Sequence, residues 1–388
     1  MDGSETAIFL VDLTCRSLPY DTHLAKGLRR SGVQVDMWLA GCLSGQGDAN
    51  CGHSVIDVAS RIRGRKLRKA AKAAEYLVNG VGLHQSLRTA SPDLVHFQWL
   101  PFAEELPSLE IFNLKWTKTT GAGVVYTIHN VLPHDTGKRH QETFQRIYQI
   151  PDALICHTHQ AKNELVKDFE LPSNKVWMIP HGPLADAIAF VPQEEARRQL
   201  HLDLKMSLCL LFGFIRPYKG VEFMIDSWKR VKDKEPSARL VLAGQPEEGY
   251  GEVLSDKIEA LGLEREIDTR FEFLPQEKLN LYIHAADVLI YPYRDITQSG
   301  ALLTGLTTGK PIVATNVGGF SEMIQHDQTG VLVEYGDEEQ LTRELVQLLR
   351  DAERRERLGR AAQDMVETKY SWKAIARKTV ECYQSVIN

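Results

Sequence analysis

Short apolar runs alternate along the chain with longer segments in which apolar positions recur at helical spacing. Residues 7–11 form the first such run, a helical pattern follows near 22–31, and a second strand pattern lies at 34–39. Further strands are predicted at 93–97, 123–128, 153–156 and 176–179. Strands that alternate with helices are typical of a parallel sheet covered by helices on both faces. The first half of the chain is therefore predicted to be doubly wound.

The same alternation starts again after a stretch near residues 181–192 that is rich in proline and contains Gly182. Strands are predicted at 207–214, 239–243, 270–273, 288–291, 311–314 and 330–333, with helices at 221–232, 253–261, 338–349 and 352–367. A last helix is predicted at 372–387, after Ser371, a residue type that caps helix N-termini well. Two doubly wound α/β domains are therefore expected, residues 1–182 and 183–370, followed by a C-terminal helix, 371–388.

Composition excludes several classes of protein. Of the 388 residues, 43% are hydrophobic and 25% are charged, which is ordinary for a globular protein. The longest apolar runs, such as residues 208–214, are far shorter than the ~20 residues of a membrane-spanning helix. The acidic start shows no secretory signal, and the six cysteines form no C-x-x-C pair, so a cytoplasmic protein without disulfides or structural zinc is expected. A net charge of −5 argues against a nucleic-acid partner.

Ligands of open parallel sheets bind beyond the carboxyl ends of the strands, and three segments with unusual residues stand there. In residues 212–220 a loop with Arg216 and Lys219 runs from a strand into a helix, which suits a diphosphate, although a surface loop with solvated cations fits as well. In residues 291–303 a helix begins at Ser299, and its first turn leaves backbone donors for an anion. In residues 309–322 a buried strand ends in a Gly-Gly loop.

These three segments, in this order, resemble the C-terminal domain of retaining glycosyltransferases of family 4, which have the GT-B fold. The similarity is close over residues 207–335 and weaker over nearly the whole chain. It implies two Rossmann-like domains that face each other across a cleft. Residues 1–182 would bind the acceptor, 183–370 would bind the nucleotide sugar, and 371–388 would cross back to the first domain.

The resemblance also implies roles for individual residues. Arg216 and Lys219 would hold the nucleotide diphosphate, and His129 would lie near the transferred sugar. The other residues expected to bind the donor are Gly213, Leu274, Gln298, Ser299, Gly300, Ala301, Leu302 and Thr304, with Leu274 near the base.

The family's E-x7-E signature is altered in this sequence. Alignment places its two glutamates at Ile296 and Thr304, neither of which is acidic. Asp295, one residue before the first position, is expected to take the sugar-binding and catalytic role of that glutamate, and Thr304 to offer a hydroxyl to the ribose.

The N-terminal half is expected to choose the acceptor. Residues 60–72 hold seven cations and no acid, with an apolar stripe at helical spacing. Arg65, Lys66, Arg68 and Lys69 belong to this run. It could dock on anionic lipid or hold a polyprenyl diphosphate, and a solvated basic helix is the alternative. His96 and Trp99 are candidates for acceptor contacts, with buried positions as the alternative. His157 and His159 lack a second ligand cluster, so no metal site is predicted.

Together these features predict a metal-independent, cofactor-free glycosyltransferase that retains anomeric configuration. It would move a hexosyl unit from a nucleotide-diphosphate sugar to a saccharide or lipid-linked acceptor in glycan or exopolysaccharide biosynthesis. Its expected location is the cytoplasm, with peripheral attachment to the inner face of the cytoplasmic membrane as one form. The alternatives are a sugar phosphorylase of the same fold and a non-catalytic protein that binds nucleotides or sugars. Nucleotide dependence would test the first alternative, and binding without turnover would identify the second.

Overall fold

The structure is a computed structural model that describes residues 6–40, 54–56, 62, 64–133, 137–184, 190–296 and 299–388, with backbone alone at 40, 54, 55, 65, 66, 69, 137 and 138. It divides into two compact units. Unit 1 comprises Met1–Gly182 and Ser371–Asn388, and unit 2 comprises Pro183–Tyr370. Each unit holds its own sheet and its own apolar core.

Strands and helices are numbered along the chain. The strands are β1 (Ala7–Asp12), β2 (Gln34–Ala40), β3 (Ser54–Val55), β4 (Leu94–Phe97), β5 (Gly123–Ile128), β6 (Ala153–Cys156), β7 (Val176–Met178), β8 (Ser207–Phe212), β9 (Ala238–Ala243), β10 (Ile267–Arg270), β11 (Val288–Tyr291), β12 (Ile312–Thr315) and β13 (Val331–Val333). The helices are α1 (Leu18–Arg30), α2 (Arg65–Ala90), α3 (Pro107–Thr119), α4 (Gln141–Tyr148), α5 (His159–Lys167), α6 (Gln193–Gln199), α7 (Val221–Lys234), α8 (Tyr250–Ala260), α9 (Gln276–Ala285), α10 (Gly300–Leu306), α11 (Phe320–Met323), α12 (Glu338–Arg350), α13 (Ala352–Met365) and α14 (Trp372–Ile387).

Among the described residues, the sheet of unit 1 is parallel throughout, with seven strands in the order β3-β2-β1-β4-β5-β6-β7. Its central strands β4 and β6 are buried along their whole length, as the continuous apolar run of β6 predicts. The strand order reverses between β1 and β4, which is where ligands of open α/β sheets bind. The loops after β1, β4, β5 and β6 therefore form the carboxyl edge at which a site is expected.

Helix α14 completes unit 1 by packing closely against glycines of α1 and β5. A Cβ at Gly27 of α1 would lie 2.9 Å from the carbonyl oxygen of Trp372, and one at Gly123 of β5 would lie 2.5 Å from Cγ1 of Val386. Ser371 caps the helix by accepting a hydrogen bond from the backbone N–H of Ala374 at 3.3 Å. The last helix is thus packed against both the first helix and the sheet.

The sheet of unit 2 is also parallel, and its described part has six strands in the order β10-β9-β8-β11-β12-β13. Its order reverses between β8 and β11, so the loops after these two strands lie at the switch point. The two parallel sheets with alternating helices confirm the doubly wound α/β class predicted from the sequence.

Two predicted strands in unit 2 are corrected. The strand predicted at 270–273 is β10, which lies three residues earlier and pairs Ile267 with Leu240, while Phe273 is 78% exposed. The strand predicted at 207–214 ends at Phe212, because Gly213 has a φ of +97° that turns the chain out of the sheet. Aromatic residues just beyond each strand made the apolar runs look longer than the paired segments.

Candidate active site

The three segments identified in the second half of the sequence form one surface in unit 2. The backbone N–H of Arg294, in the loop after β11, donates to the carbonyl of Tyr218, in the loop after β8, at 2.7 Å. The N–H of Gly319, in the loop after β12, donates to the carbonyl of Ile296 at 3.1 Å. All three loops therefore meet at the carboxyl edge of adjacent strands, as parallel pairing requires.

Two glycines allow these loops to approach each other. Gly220 has a φ of +65°, and a Cβ there would lie 1.9 Å from the carbonyl oxygen of Pro292. Gly318 has a φ of +46°, and its Cβ would lie 1.8 Å from the carbonyl oxygen of Ile296. Any side chain at either position would both strain the backbone and separate the loops.

Lys219 places a buried cation in this surface. The residue is 5% exposed, and its ammonium lies 5.3 Å from the ring centroid of Tyr293 and 3.1 Å from the position a Cβ would take at Gly213. Burial, and then the positive charge of neighbouring Arg216, lower the pKa of Lys219 to about 8. In the part of the chain that the structure describes, no carboxylate pairs with this ammonium. A buried cation without a counter-ion is unfavourable, so the site is electrostatically suited to an anion from outside the chain.

Arg216 and Asp295, two residues predicted to act on the donor, are exposed. The guanidinium of Arg216 lies 4.7 Å from the ring centroid of Phe214. The positive group of Arg216 therefore lies against the side chain of residue 214. Asp295 precedes Ile296, whose carbonyl joins the second and third loops.

The start of α10 is held by side chains from β11 and the loop after it. Ser299 accepts a hydrogen bond from the N–H of Leu302 at 3.2 Å, and its own hydroxyl faces that of Tyr293 at 3.5 Å. Tyr291 donates to the carbonyl of Ala301 at 2.9 Å. Gly300 and Ala301 occupy the first turn, whose N–H groups have no partner within a helix. Gln298 lies outside the described residues.

The remaining donor candidates are less accessible. Thr304 and Leu274 are each 8% exposed, and Leu274 belongs to the apolar core of unit 2. Only a small part of either side chain is therefore available for contact with a ribose or a base.

In unit 1, His129 follows β5 and is surrounded by aromatic rings. Trp99 stacks on it with ring centroids 5.8 Å apart, and Tyr20 meets it edge-on at 5.0 Å. Its Nδ1 lies 3.2 Å from Nε2 of His157, which follows β6. Burial, and then the neighbouring His157, hold the pKa of His129 well below its ordinary value. The ring is thus neutral and can serve as a hydrogen-bonding group.

Two family models match the chain in tandem. The model for glycosyltransferase family 4 matches residues 22–183, and that for group 1 glycosyl transferases matches residues 192–365. The chain is a family 4 glycosyltransferase. The enzyme is 24% identical over 393 residues to the D-inositol 3-phosphate glycosyltransferase of Corynebacterium aurimucosum, covering 95% of this chain and 90% of that one. It is 26% identical over 312 residues to the lipopolysaccharide 1,2-N-acetylglucosaminetransferase of Salmonella typhimurium, covering 74% of this chain and 79% of the other.

Solved structures share its architecture. Sucrose-phosphate synthase from Thermosynechococcus elongatus superposes with a TM-score of 0.75 at 16% identity, covering 98% of this chain and 99% of that one. Anabaena HepE in complex with UDP superposes with a TM-score of 0.72 at 15% identity, covering 98% and 100%. These likenesses assign the GT-B fold to the glycosyltransferase.

The position of His96 does not support the acceptor contact predicted for it. The side chain is 0% exposed, with Tyr383 at 2.6 Å from Nδ1 and Thr127 at 2.7 Å from Nε2. Burial, and then His157, lower its pKa to about 3. His96 therefore joins α14 to the sheet of the glycosyltransferase and has no surface left for an acceptor.

Trp99 keeps a partly exposed ring, and Arg16 lies over it with 5.0 Å between guanidinium and ring centroid.

Sequence reasoning missed Arg16 and Tyr20, which follow β1, and the relation of His157 to His129. The rule that ligands meet the carboxyl ends of strands could have found Arg16 and His157. Tyr20 lies inside α1 and carried no such signal.

The basic run predicted to meet a membrane falls largely within α2. Arg68 is exposed and donates to the carbonyl of Ile62 at 3.0 Å, and the neighbouring Leu67 is 63% exposed. Arg65, Lys66 and Lys69 belong to the same helix, and their side chains lie outside the described part. Among the described residues, no helix combines the length and apolarity needed to cross a bilayer. Nor do those residues place three or more His, Cys, Asp or Glu side chains together as metal ligands.

Proposed function

We propose that this enzyme transfers a hexosyl unit, with retention of configuration and without a metal ion, from a nucleotide-diphosphate sugar to a saccharide or lipid-linked acceptor. Glycan or exopolysaccharide biosynthesis is the proposed setting. The observation that carries the donor class is the buried ammonium of Lys219 among the three loops, which has no carboxylate partner among the described residues. Solved relatives bound to UDP and to UDP-glucose make a uridine nucleotide the first donor to test.

The proposed chemistry needs positive charge where the leaving diphosphate gains negative charge. Lys219 and Arg216 supply two cations, and the first turn of α10 adds backbone N–H donors. Such preorganised groups stabilise the transition state in the way that a divalent ion does in other enzymes. In keeping with the family resemblance, the departing phosphate would help to deprotonate the acceptor hydroxyl on the same face of the sugar.

Unit 1 is proposed to bind the acceptor at the carboxyl edge of its sheet. Trp99 is the candidate acceptor contact there, with Arg16 beside it, and the neighbouring His129 is proposed to contact the transferred sugar. The relatives named for transfer to D-inositol 3-phosphate and to lipopolysaccharide favour a polyol or saccharide acceptor.

Thermal stabilisation by UDP, GDP, ADP and TDP, with and without EDTA, tests the donor class. A ligand at 100 times its Kd stabilises a protein by about 2.7 kcal/mol, which is readily measured. One nucleotide should stabilise the wild type in the presence of EDTA, Lys219→Met should abolish the effect, and the exposed control Lys205→Met should keep it. Loss of the effect in EDTA would contradict metal independence.

Turnover distinguishes the remaining alternatives. Incubation with the corresponding nucleotide sugar and saccharide acceptors should release nucleoside diphosphate, and proton NMR of the new glycoside should show the donor's anomeric configuration. Binding without release of nucleotide would identify a non-catalytic protein. Sugar transfer that needs inorganic phosphate and no nucleotide would identify a phosphorylase.

We also propose that the basic start of α2 attaches the enzyme to anionic membranes. Clustered lysines and arginines each contribute about 1 kcal/mol near such a surface. Replacing Arg65, Lys66, Arg68 and Lys69 with glutamine should reduce sedimentation with anionic vesicles. The matched control replaces the exposed residues Lys205, Lys229, Lys234 and Lys369 of unit 2. Equal sedimentation of both variants would contradict the proposal.

A further inference from the structure

A chain of buried hydrogen bonds leads to His129 from the backbone of unit 1. Nδ1 of His157 lies 2.9 Å from the carbonyl oxygen of Ile179, and Nε2 of His157 lies 3.2 Å from Nδ1 of His129. His157 is 5% exposed and Ile179 is 0% exposed, so water has little access to the chain.

The direction of these bonds follows from proton positions. A carbonyl oxygen can only accept, so Nδ1 of His157 carries a proton. Burial, and then His181, lower the pKa of His157 to about 3, which keeps its ring neutral. A neutral imidazole protonated at Nδ1 has a lone pair at Nε2, so His157 accepts from Nδ1–H of His129. His129 is neutral as well, and its Nε2 is therefore an acceptor.

That acceptor has no partner in the described part of the chain. Nε2 of His129 is buried and makes no hydrogen bond to any described group. An unsatisfied buried polar atom costs about 1–3 kcal/mol, so such atoms in native proteins need a reason. The neighbouring rings do not supply a donor for this nitrogen. Trp99 stacks its face on His129, and Nδ1 of His181 lies 2.6 Å from the carbonyl oxygen of Gly182. A bound ligand with a hydroxyl group would supply the missing donor.

We propose that His157 is a positioning residue, which fixes His129 in the tautomer whose Nε2 accepts a hydrogen bond from a hydroxyl of the bound sugar. This inference rests on the proposed function for its ligand, and on the geometry of unit 1 for the tautomer. Without His157, the proton of His129 can move to Nε2. The ring would then present a donor to the sugar hydroxyl and would lose its fixed orientation.

The tautomer can be measured without substrate or turnover. Long-range proton–nitrogen NMR of the full chain labelled with ¹⁵N-histidine reports which ring nitrogen carries the proton, and His129→Asn identifies the His129 signals. Wild-type His129 should be protonated at Nδ1. His157→Phe should shift His129 toward protonation at Nε2. His157→Gln should restore the wild-type state, because its amide can donate to Ile179 and accept from His129.

Activity then tests the consequence. His157→Phe should lower kcat/KM for sugar transfer by about 10–100-fold, and His157→Gln should recover most of the loss. The control is His284→Phe in unit 2, which removes a buried histidine whose Nδ1 lies 3.0 Å from the carbonyl of Asn280 and should leave kcat/KM unchanged.

Each outcome supports or overturns the proposal. Persistence of the Nδ1–H tautomer in His157→Phe would overturn it, and so would unchanged kcat/KM after a tautomer switch. A ¹⁵N–¹⁵N coupling across the His129–His157 hydrogen bond in the wild type tests the same link if the phenylalanine variant does not fold, and its absence would count against the proposal. If the wild type turns over no nucleotide sugar, the proposed function fails, while the tautomer measurements still decide the role of His157.

Discussion

At the scale of single residues, burial turns an ordinary lysine into a charge that depends on pH. Lys219 has a pKa lowered to about 8 by desolvation and by Arg216, so its ammonium loses its proton in a range where surface lysines remain charged. The Lys219 side chain is fully protonated well below pH 8 and loses its charge above that pH. A diphosphate that binds to the ammonium should therefore bind best at neutral pH.

We expect the affinity of the wild type for its nucleoside diphosphate to fall about tenfold between pH 7 and pH 9. Isothermal titration calorimetry at several pH values measures it. Lys219→Met should bind weakly with little dependence on pH over that range, and its kcat should fall by about 10–1,000-fold. Lys205→Met should keep the wild-type profile. A wild-type affinity that is constant to pH 9 would show that Lys219 does not contact the nucleotide.

At the scale of elements, close packing of loops depends on glycine, and packing of helices depends on buried polar pairs. Gly318 lets the loop after β12 lie against Ile296, while Gly336 has a φ of +90° with nothing within 4 Å of its Cβ position. Between α2 and α3, Tyr76 donates to Glu110 at 2.5 Å, and the N–H of Phe102 donates to the same carboxyl at 2.9 Å. The close contact at Gly318 and the hydrogen bonds of Glu110 both join segments that are distant in sequence.

Gly318→Ala and Gly336→Ala form a matched pair. Each places a side chain at positive φ, which costs about 1–2 kcal/mol, and only the first adds a clash with backbone. Chemical denaturation should show a loss of about 1 kcal/mol for Gly336→Ala and at least twice that for Gly318→Ala. Nucleotide affinity should fall in Gly318→Ala alone. Equal losses of stability would mean that the loop adjusts without strain.

Glu110 should make stability depend on pH near neutrality. Burial raises its pKa to about 7, so the folded state favours the protonated carboxyl. The stability that this proton provides is fully present below the ordinary pKa of glutamate, 4.5, and is lost as pH rises through 7. Glu110→Gln should reduce the fall in Tm between pH 5.5 and 8, measured by calorimetry. The Tm of the exposed control Glu142→Gln should fall over this pH range as that of the wild type does. If the Tm of Glu110→Gln falls equally, the pH dependence comes from other groups.

At the scale of the whole molecule, the two ends of the chain belong to one folding unit. Helix α14 packs on α1 through Gly27 and Trp372, and its Tyr383 bonds the buried ring of His96. Unit 2 therefore lies entirely between two segments of unit 1 in sequence.

Deletion of residues 371–388 should therefore destabilise unit 1 and spare unit 2. Hydrogen exchange followed by mass spectrometry should show faster exchange in peptides of α1 and β5, where α14 packs against Gly27 and Gly123. Peptides of β8, β9 and β12 should exchange as in the full chain. Faster exchange throughout both units would show that the units unfold together.

Features that depend on local pattern can be predicted from the amino-acid sequence alone. Strands β5, β6 and β11 lie where apolar β-branched runs predict them, α14 begins after its cap Ser371, and the order of the motifs identified the enzyme family. Buried parallel strands and capped helices are encoded by neighbouring residues, so periodicity is enough to find them. The boundary of β10 was missed, because Phe271 and Phe273 look like strand residues until pairing with β9 is known.

Which groups form ion pairs and hydrogen bonds with each other depends on the tertiary structure. Lys219 is a buried cation without a carboxylate among the described residues, His96 is a core hydrogen-bond hub, and His157 meets His129 across 28 positions of sequence. Burial and hydrogen bonding depend on groups that approach through space, and the same residue types in the same local pattern allow either outcome. A histidine's function depends on the hydrogen-bond partner of each ring nitrogen, and these partners are brought into place only when the chain folds.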